Sequence, residues 1–202
     1  MRGFDSLGTL TKSEDGLPRP FSKKRSGFLF AEGGGGILIL EELESALKRG
    51  ADIYAEIIDY ESCSDAYSLV QIDKSGSQIK SMLSKLIKGR KIDYFNTHGT
   101  GTILNDGVEA RVIQSLFGEE SNQPVINSTK GMLGHSIGAS GAIEAIVSAL
   151  SVKNSTIHAN VTEDPIDNLN LPSRNIHKQI HLALSSSYGF GGHNAAILFK
   201  KL

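Results

Sequence analysis

The stretch VINSTKGMLGHSIGASGAIEA, residues 125–145, decides the fold of this chain. Its apolar start, Val125–Ile126, predicts the end of a β-strand, and a helix rich in small residues is predicted from Ser136 to Val152. Between them lies a glycine-punctuated loop that carries Lys130 and His135. Because loops held by a rigid scaffold commonly carry binding and catalytic residues, this loop indicates a site rather than a plain connection.

The predicted helix contains two glycines, Gly138 and Gly141. Glycine in a helix costs roughly 0.5–1 kcal/mol relative to alanine. We therefore expect either a very close approach of another backbone at this point or ordinary helix packing.

Strands and helices alternate along the rest of the chain, which predicts an α/β fold. Strands or extended segments are predicted at 37–40, 51–60, 92–96, 157–160, 181–187 and 195–200, and helices at 41–49, 77–88 and 106–117. The continuous apolar run Ile37–Leu40 predicts a strand buried on both faces. Residues 1–26, which include Pro18 and Pro20, predict a loop over the surface.

Composition excludes several classes of protein. The 202 residues carry a formal net charge of −1, which indicates no preference for nucleic acid or an anionic membrane. A single cysteine, Cys63, rules out an internal disulfide and fits a reducing compartment, so we expect a cytoplasmic protein. No signal peptide is expected, and no stretch approaches the ~20 apolar residues of a membrane span.

Three loops carry histidines: THGTGT at 97–102 with His98, the loop with His135, and GFGGHN at 189–194 with His193. In α/β folds ligands bind at the carboxyl ends of strands, where the first two loops are predicted to lie. Metal ligation by His98 and His135 has no supporting HxxxH, HExxH or cysteine pattern, and phosphate binding has no GxGxxG. Histidines that only stabilise their own loops are a further alternative.

Three motifs occur in order along the chain: THGTGTILND (97–106), NSTKGMLGHSIGASGAIEA (127–145) and YGFGGHN (188–194). Together they resemble the β-ketoacyl-[acyl carrier protein] synthases, the condensing enzymes of the thiolase fold. The segments at 19–60 and 155–172 resemble the same family, so the likeness covers nearly the whole chain. It implies an α/β, thiolase-like fold: the C-terminal half of the layered αβαβα architecture plus the last strands of the N-terminal half. Residues 1–60 are then the tail of the N-terminal half and residues 61–202 the C-terminal half.

The nucleophilic cysteine of the family lies in an Ala-Cys-Ser elbow, upstream of every motif found in this sequence. Cys63, in ESCSDAYS, has different neighbours and is interpreted as structural. The resemblance therefore implies a condensing enzyme in two pieces, with the cysteine on a partner chain. Where the family usually reads Asp-Ala-Tyr-His-x-Thr, this chain reads Asp65-Ala-Tyr-Ser-Leu-Val70, and it lacks that histidine and threonine.

The resemblance also implies roles for the residues of the histidine loops. His98 and His135 are expected to donate hydrogen bonds to the thioester oxygen of a malonyl group, where negative charge develops as CO₂ leaves. The ammonium of Lys130 disfavours imidazolium and keeps its histidine neighbour neutral. Glu144 resembles the glutamate that holds this lysine in a charge network.

Further residues are expected to shape the substrate site. Phe190 resembles the gate beside the acyl pocket, where its N–H shares an oxyanion hole with that of the cysteine, and Gly191 lets the backbone approach. Thr100 and Thr102 resemble threonines that contact the carrier's pantetheine arm or the malonyl group.

Two acidic residues, Asp106 and Glu109, are expected to cap and orient the helix that follows the His98 loop. The remaining loop histidine, His193, is interpreted as structural.

The function predicted on this basis is that of a split β-ketoacyl-[acyl carrier protein] synthase subunit. It is an acyltransferase that performs decarboxylative Claisen condensation in fatty-acid or polyketide elongation, active only with the cysteine-bearing subunit. Acyl carrier protein is the second expected partner, and a dimer of heterodimers is the expected assembly. No cofactor or metal is expected beyond the carrier's phosphopantetheine. The alternatives are a non-catalytic chain-length-determining or scaffolding partner and a truncated product without function.

Overall fold

The computed structural model describes residues 2–202. The helices are α1 (Arg2–Ser6), α2 (Leu43–Lys48), α3 (Ser77–Ile87), α4 (Ile103–Phe117), α5 (Lys130–Leu133) and α6 (Ser140–Asn154). The strands are β1 (Glu56–Ser64), β2 (Tyr94–Asn96), β3 (Val125–Asn127), β4 (Thr156–Ile157), β5 (Ile176–His177), β6 (Leu182–Gly189) and β7 (His193–Lys200). Short 3₁₀ turns lie at Glu120–Asn122, Ile137–Ala139 and Phe190–Gly192.

A five-stranded mixed sheet in the order β1-β7-β6-β2-β3 organises the molecule. Strand β2 runs parallel to β3 and β6, whereas β7 is antiparallel to β1 and β6. Strands β4 and β5 form a separate antiparallel pair. The mixed sheet with helices on its faces confirms the predicted α/β class.

Side chains of the central strands alternate between two apolar cores, one on each face of the sheet. On β6, Leu184 joins the core built with α3 and α4, whereas Ala183 joins the core that includes Ala145 of α6. On β7, Leu198 joins the core built with α3 and α4, whereas Phe199 joins the core that includes α6. The sheet is therefore a layer between α3 and α4 on one side and α6 on the other.

Strands β2, β3 and β6 end at the same edge of the sheet because they are parallel. The His98 loop follows β2, the Lys130 helix follows β3, and Phe190 follows β6. All three predicted loops that contain histidine and glycine therefore lie at one edge of the five-stranded sheet. The small β4–β5 pair is not part of this edge.

The prediction of a strand at Ile37–Leu40 is wrong within the described residues of this chain. Residues 33–40 form neither helix nor strand, and Ile37 and Ile39 are each 91% exposed. No other strand of the described chain lies beside this segment, so its backbone has nothing to pair with. The next predicted strand, 51–60, is displaced to Glu56–Ser64, and the expected boundary at residue 60 falls inside it.

The prediction of a surface loop for residues 1–26 is also corrected. Residues 18 and 20–22 are buried, and Phe21 is completely enclosed. The Phe21 N–H donates a hydrogen bond to Asp106 Oδ2 at 2.8 Å, so this segment is tied to the start of α4. Short apolar stretches broken by proline give no periodic signal, which explains why the sequence did not show this burial.

The expected close approach at Gly138 is not present. A Cβ atom there would meet nothing within 4 Å, because Gly138 lies in a 3₁₀ turn that borders a cavity. A Cβ at Gly141 would be 3.4 Å from Ser187 Oγ, an ordinary contact. Within residues 2–202, no helix has the length and apolar character needed to cross a membrane.

Candidate active site

A cavity of about 1190 Å³ opens at the edge of the sheet where β2 and β6 end. Its wall includes both predicted catalytic histidines, both predicted threonines, the phenylalanine that was predicted to be the gate, and the lone cysteine. These are His98, Thr100, Thr102, His135, Phe190 and Cys63. A cavity that collects several titratable and polar side chains is the default location of an active site.

The rings of His98 and His135 lie side by side in this wall. Their centroids are 5.6 Å apart, and the ring planes are 81° to each other. Two histidines that are 37 positions apart in the sequence therefore face one small volume, in which a single ligand atom can contact both rings.

The His98 loop is held by two buried carboxylates of α4. Glu109 accepts the backbone N–H groups of His98 and Gly99, each at 2.8 Å. Asp106 accepts the N–H groups of Thr100 and Gly101, at 3.1 Å each for the nearer oxygen. The expectation that these residues cap the helix is corrected: α4 begins earlier, at Ile103, and both side chains reach back to fix the loop.

Burial opposes the charge on these two carboxylates. Desolvation raises the pKa of Glu109 to about 8, against the opposing effect of the loop N–H donors. Desolvation likewise raises the pKa of Asp106 above its ordinary value. The loop that places His98 thus depends on two carboxylates whose ionised form is stabilised by the N–H groups of the loop, by the Phe21 N–H and by nearby side chains.

Lys130 and Glu144 form a buried ion pair behind the histidines, with 2% of each side chain exposed. Lys130 Nζ also donates to the carbonyl oxygen of His98 at 2.7 Å and lies 3.3 Å from His98 Nδ1. The other carboxylate oxygen of Glu144 accepts Ser187 Oγ at 3.4 Å. The structure therefore brings Lys130 and Glu144 together, as predicted, and adds Ser187 of β6 to the network.

This contact selects the tautomer of His98. An ammonium group only donates, so Nδ1 of His98 presents its lone pair and the ring proton resides on Nε2. Burial, then the Lys130 charge, then His135 lower the pKa of His98 well below its ordinary value. The ring is consequently neutral at physiological pH.

A different group selects the same tautomer for His135. Its Nδ1 accepts the backbone N–H of Ile137 at 3.1 Å and lies 2.9 Å from Ser140 Oγ. The proton of the neutral ring is then on Nε2. Burial, with a second contribution from Lys130, lowers the pKa of His135 to about 3.

Ile137 reaches this position in a strained conformation. Its φ of 50° is in the left-handed region, which β-branched residues avoid and which costs roughly 1–3 kcal/mol. This conformation places its N–H on His135 Nδ1, so the backbone fixes the tautomer of the ring. Nothing in the sequence pattern indicated a role for Ile137.

The predicted substrate-contacting residues line the cavity. Thr100 Oγ1 and Thr102 Oγ1 lie 2.9 Å from each other. Phe190 is 48% exposed at the wall. Gly191 has φ of 81° and donates its N–H to Leu69 O at 2.8 Å.

An aromatic wall beside His135 was not predicted from the sequence. The Phe28 ring meets His135 edge-on, with centroids 5.2 Å apart. Phe4, in the first helix, packs on Phe28 at 5.6 Å and on Phe190 at 6.0 Å. The apolar character of Phe4 was the only signal for this contact in the sequence, because Phe4 lies 186 positions before Phe190 in the chain.

Cys63 is half-buried in the same wall and is a poor nucleophile. Its sulfur lies 3.5 Å from the Gln78 carbonyl oxygen, 3.6 Å from Asn194 Nδ2 and 3.8 Å from Met82 Sδ. Desolvation raises the pKa of the Cys63 thiol, which keeps it protonated at neutral pH. These contacts support the structural interpretation of Cys63.

Comparison with known proteins assigns the family. Residues 54–163, more than half of the chain, match the family described as beta-ketoacyl synthase, C-terminal domain. The chain belongs to the β-ketoacyl synthase family. It corresponds to the C-terminal half of a thiolase-like ketosynthase, as the motifs predicted.

Two curated relatives that match this chain are about twice as long as it is. The 3-oxoacyl-[acyl-carrier-protein] synthase 2 of Staphylococcus aureus (strain COL) is 43% identical over 98% of this chain. The 3-oxoacyl-[acyl-carrier-protein] synthase 1 of Escherichia coli (strain K12) is 37% identical over the same share. The chain spans about half the length of each of these relatives.

Solved structures of ketosynthases share the fold. The ishigamide ketosynthase/chain length factor matches with a TM-score of 0.90 at 32% identity, over 100% of this chain and 50% of that one. A ketosynthase in complex with a type II polyketide acyl-carrier protein matches with a TM-score of 0.92 at 32% identity, over 100% of this chain and 52% of that one.

Proposed function

We propose that this chain supplies the decarboxylation and condensation residues of a β-ketoacyl-[acyl carrier protein] synthase, with the acyl-carrying cysteine on a separate polypeptide. The observation that carries the proposal is the pair of neutral rings in one cavity. Nδ1 of His98 and of His135 is engaged by Lys130 and by Ile137, which leaves two Nε2–H donors for a ligand.

Two such donors suit the charge that develops during decarboxylation. The bond between the malonyl α-carbon and its carboxylate breaks, CO₂ leaves, and the electron pair becomes an enolate whose oxygen carries the negative charge. Removal by mutation of one N–H donor that is aimed at a developing oxyanion typically raises the activation free energy by about 3 kcal/mol. His98 and His135 therefore stabilise the enolate without transferring a proton to it.

The enolate carbon then attacks the acyl thioester on the cysteine of the partner. A carbon–carbon bond forms, the cysteine sulfur leaves with the electron pair of the broken C–S bond, and the product remains on the carrier thioester. Phe190 stands at the cavity wall where that acyl group enters, and Thr100 and Thr102 offer hydroxyls to the carrier arm. The acyl carrier protein is the expected donor of both the acyl and the malonyl groups.

Lys130 acts on the histidine rather than on the substrate. Its ammonium is fully enclosed, contacts His98 twice and is neutralised by Glu144. A positive charge at this position disfavours protonation of either ring and keeps both as donors from Nε2. We propose Lys130 as a positioning residue and Glu144 as its counter-ion.

A non-catalytic role explains this arrangement less well. A buried lysine–glutamate pair is costly to desolvate, and replacing such a pair with apolar side chains is often neutral or stabilising. A subunit that only sets chain length has no need for a buried charge beside two rings with fixed tautomers.

The test separates two half-reactions in the assembled enzyme. In the His98→Ala and His135→Ala variants, we expect acylation of the partner cysteine to persist and malonyl decarboxylation with condensation to fall by about 10²–10³-fold. His177→Ala is the matched control, because His177 is exposed on β5 and does not line the cavity. Normal condensation by the His98→Ala enzyme would refute the proposal.

A further inference from the structure

Residues 74–92 carry positive charge without any acidic residue. The stretch contains five lysines and one arginine: Lys74, Lys80, Lys85, Lys88, Arg90 and Lys91. Across the whole chain, 21 lysine and arginine residues are balanced by 22 aspartate and glutamate residues. The net charge of −1 therefore describes the average of the chain and not this stretch, where clustered charge creates a local potential.

Helix α3 divides most of this stretch into an apolar and a polar side. Its five apolar residues, which include Met82 and Leu83, are all buried in the core that the helix shares with α4 and the sheet. Its exposed positions hold only serine, glutamine and lysine, and the lysines are Lys80, Lys85 and the C-cap Lys88. We call this side the lysine face of α3. It offers charge and hydrogen bonds but no apolar anchor, because the apolar side chains of the helix already pack inward.

The neighbouring helix α4 extends the positive surface. Arg111 is exposed, and its Nη2 donates to the Lys74 carbonyl oxygen at 2.9 Å. The two acidic residues of α4, Asp106 and Glu109, are buried and hold the loop that precedes the helix. The remaining acidic residue between positions 74 and 118, Asp93, is half-buried and accepts two backbone N–H groups where β6 begins. Residues 74–118 therefore present no fully exposed acidic side chain.

The lysines of the face are only partly neutralised. Within residues 2–202, neither Lys80 nor Lys85 forms a salt bridge. Lys88 Nζ shares Asp59 Oδ2 with Arg90 Nη1, at 3.0 and 3.2 Å respectively, so one carboxylate serves two cations. Like charges held on one surface repel each other, and a negatively charged surface that approaches them relieves the repulsion.

We propose that the lysine face of α3 binds peripherally to an anionic lipid surface. The contact is electrostatic: the lysine ammonium groups lie against the phosphate groups of the lipid heads, and no side chain enters the hydrocarbon. Each lysine or arginine close to such a surface strengthens binding by about fivefold. The inference goes beyond the proposed function and does not depend on it, because the lysines of the face do not line the cavity.

The composition of the face favours a lipid surface over a protein partner. Protein interfaces are enriched in aromatic residues, methionine and arginine and depleted in lysine, and a few buried anchors supply most of their binding energy. The exposed positions of α3 include no aromatic residue, and Met82 is 1% exposed. Lysine is a point charge on a flexible stem, without the fixed fork of arginine. Such groups suit the diffuse negative charge of a layer of lipid heads.

The position of α3 separates the lysine face from the exposed apolar residues of the chain. Helices α3 and α4 cover one side of the five-stranded sheet, and α6 covers the other. Leu38 packs on the α6 side, and its neighbours Ile37 and Ile39 are each 91% exposed. An apolar contact and an electrostatic contact would therefore use different sides of the molecule, so experiments can tell them apart.

Sedimentation of the chain with vesicles tests the contact. The probe is a vesicle of phosphatidylglycerol and phosphatidylcholine in equal parts, and phosphatidylcholine alone is the uncharged comparison. We expect the chain to sediment with the anionic vesicles at low salt and to be released at high salt, since the Debye length falls from about 10 Å at 0.1 M to about 3 Å at 1 M ionic strength. No binding at low salt, equal binding to both vesicles, or binding that persists at high salt would overturn the inference.

A pair of variants locates the contact on α3. The double variant Lys80→Gln/Lys85→Gln should bind the anionic vesicles about 25-fold more weakly, because two contributions of about fivefold are lost. The control Lys48→Gln/Lys178→Gln removes the same charge from exposed positions on α2 and after β5. Since all four lysines are exposed, both variants should melt at the temperature of the unsubstituted chain. Equal loss of binding in the two variants would show that net charge, and not the lysine face, governs the association, and the inference would fail.

Acyl carrier protein supplies the last comparison, because a protein partner is the main alternative occupant. We expect Lys80→Gln/Lys85→Gln to leave the affinity of the chain for the carrier protein unchanged while it weakens binding to vesicles. The opposite result, a weaker complex with the carrier protein and unchanged vesicle binding, would make the lysine face a protein docking site and would overturn the lipid assignment. Both measurements report binding and not condensation, so their failure leaves the proposed function standing.

Discussion

At the scale of single residues, the charges behind the histidines decide what the site can do. Lys130 and Glu144 are each 2% exposed and form an ion pair, and breaking a buried pair leaves an uncompensated charge. We expect Lys130→Met to lower the free energy of unfolding by about 3–5 kcal/mol, measured by urea denaturation. The double variant Lys130→Met/Glu144→Gln should recover most of that loss, and a double variant as unstable as the single one would contradict this account.

The histidine tautomers give a second prediction. In ¹⁵N NMR spectra of the chain, His135 should remain neutral and protonated at Nε2 from pH 8 down to about pH 4. The reason is its pKa of about 3, whereas imidazole in an unfolded chain titrates near 6.5. Observation of a doubly protonated His135 ring at pH 6 would exclude it as a neutral donor.

The sign of the linked stability change follows from the same pKa. Between pH 6.5 and about 3, the unfolded chain binds a proton at His135 that the folded chain does not, so this histidine lowers stability as pH falls through that window. Glu109 acts in the opposite direction. Its raised pKa of about 8 favours the folded state at low pH, and that contribution is lost as pH rises from 4.5 through 8. A comparison of wild type with Glu109→Gln across this range isolates the carboxylate.

The residues of the site could be predicted from the sequence, but the tautomers of its histidines could not. The three motifs named His98, Lys130 and His135, because histidine and lysine in glycine loops at strand ends are visible in the sequence. The tautomers were not visible, since they depend on a strained Ile137 and on the exact position of an ammonium. Phe4 was missed for a related reason: its contact with Phe190 joins the two ends of the chain.

At the scale of elements, the His98 loop and residues 18–27 behave as one unit. Gly101 has φ of 82°, and a Cβ there would lie 2.1 Å from Pro18 O and 2.8 Å from Gly27 O. We expect Gly101→Ala to destabilise the chain by more than about 3 kcal/mol, since both the left-handed backbone and the collision with main-chain atoms are costly. Thermal or urea unfolding measures the change.

Gly50→Ala provides the control for this prediction. Gly50 has a similar φ of 69°, yet a Cβ there would meet nothing within 4 Å. Its substitution should therefore cost only the backbone strain, about 1–2 kcal/mol. Equal losses for the two variants would show that backbone strain alone, and not contact with residues 18–27, governs the loop.

Elements with a strong internal pattern were predicted well, and those that depend on a partner were not. The helix from Ser77 follows the spacing of Ile79, Met82, Leu83 and Leu86, and the structure buries all four. The run Ile37–Leu40 has an equally clear strand pattern, yet three of its four side chains are exposed and its backbone is unpaired. A hydrophobic pattern indicates the packing environment that suits a segment. For Ile37–Leu40, the described residues supply only part of that environment.

At the scale of the whole molecule, the proposed arrangement of two polypeptides has a kinetic consequence. If the cysteine and the histidines reside on different chains, the concentration of the complex is proportional to the product of the free concentrations of the two chains. At chain concentrations below the dissociation constant, most of each chain is therefore unbound. The specific activity of an equimolar mixture should then fall on dilution and recover when an excess of either half is added. His98→Ala added in excess should compete for the cysteine-bearing half and lower the activity of the mixture, because the substitution is confined to the cavity wall. Continuous assays over a dilution series, with and without the excess, make the measurement. A specific activity that stays constant at every dilution, with no inhibition by the variant, would place both groups in a single inseparable unit and refute the two-chain proposal.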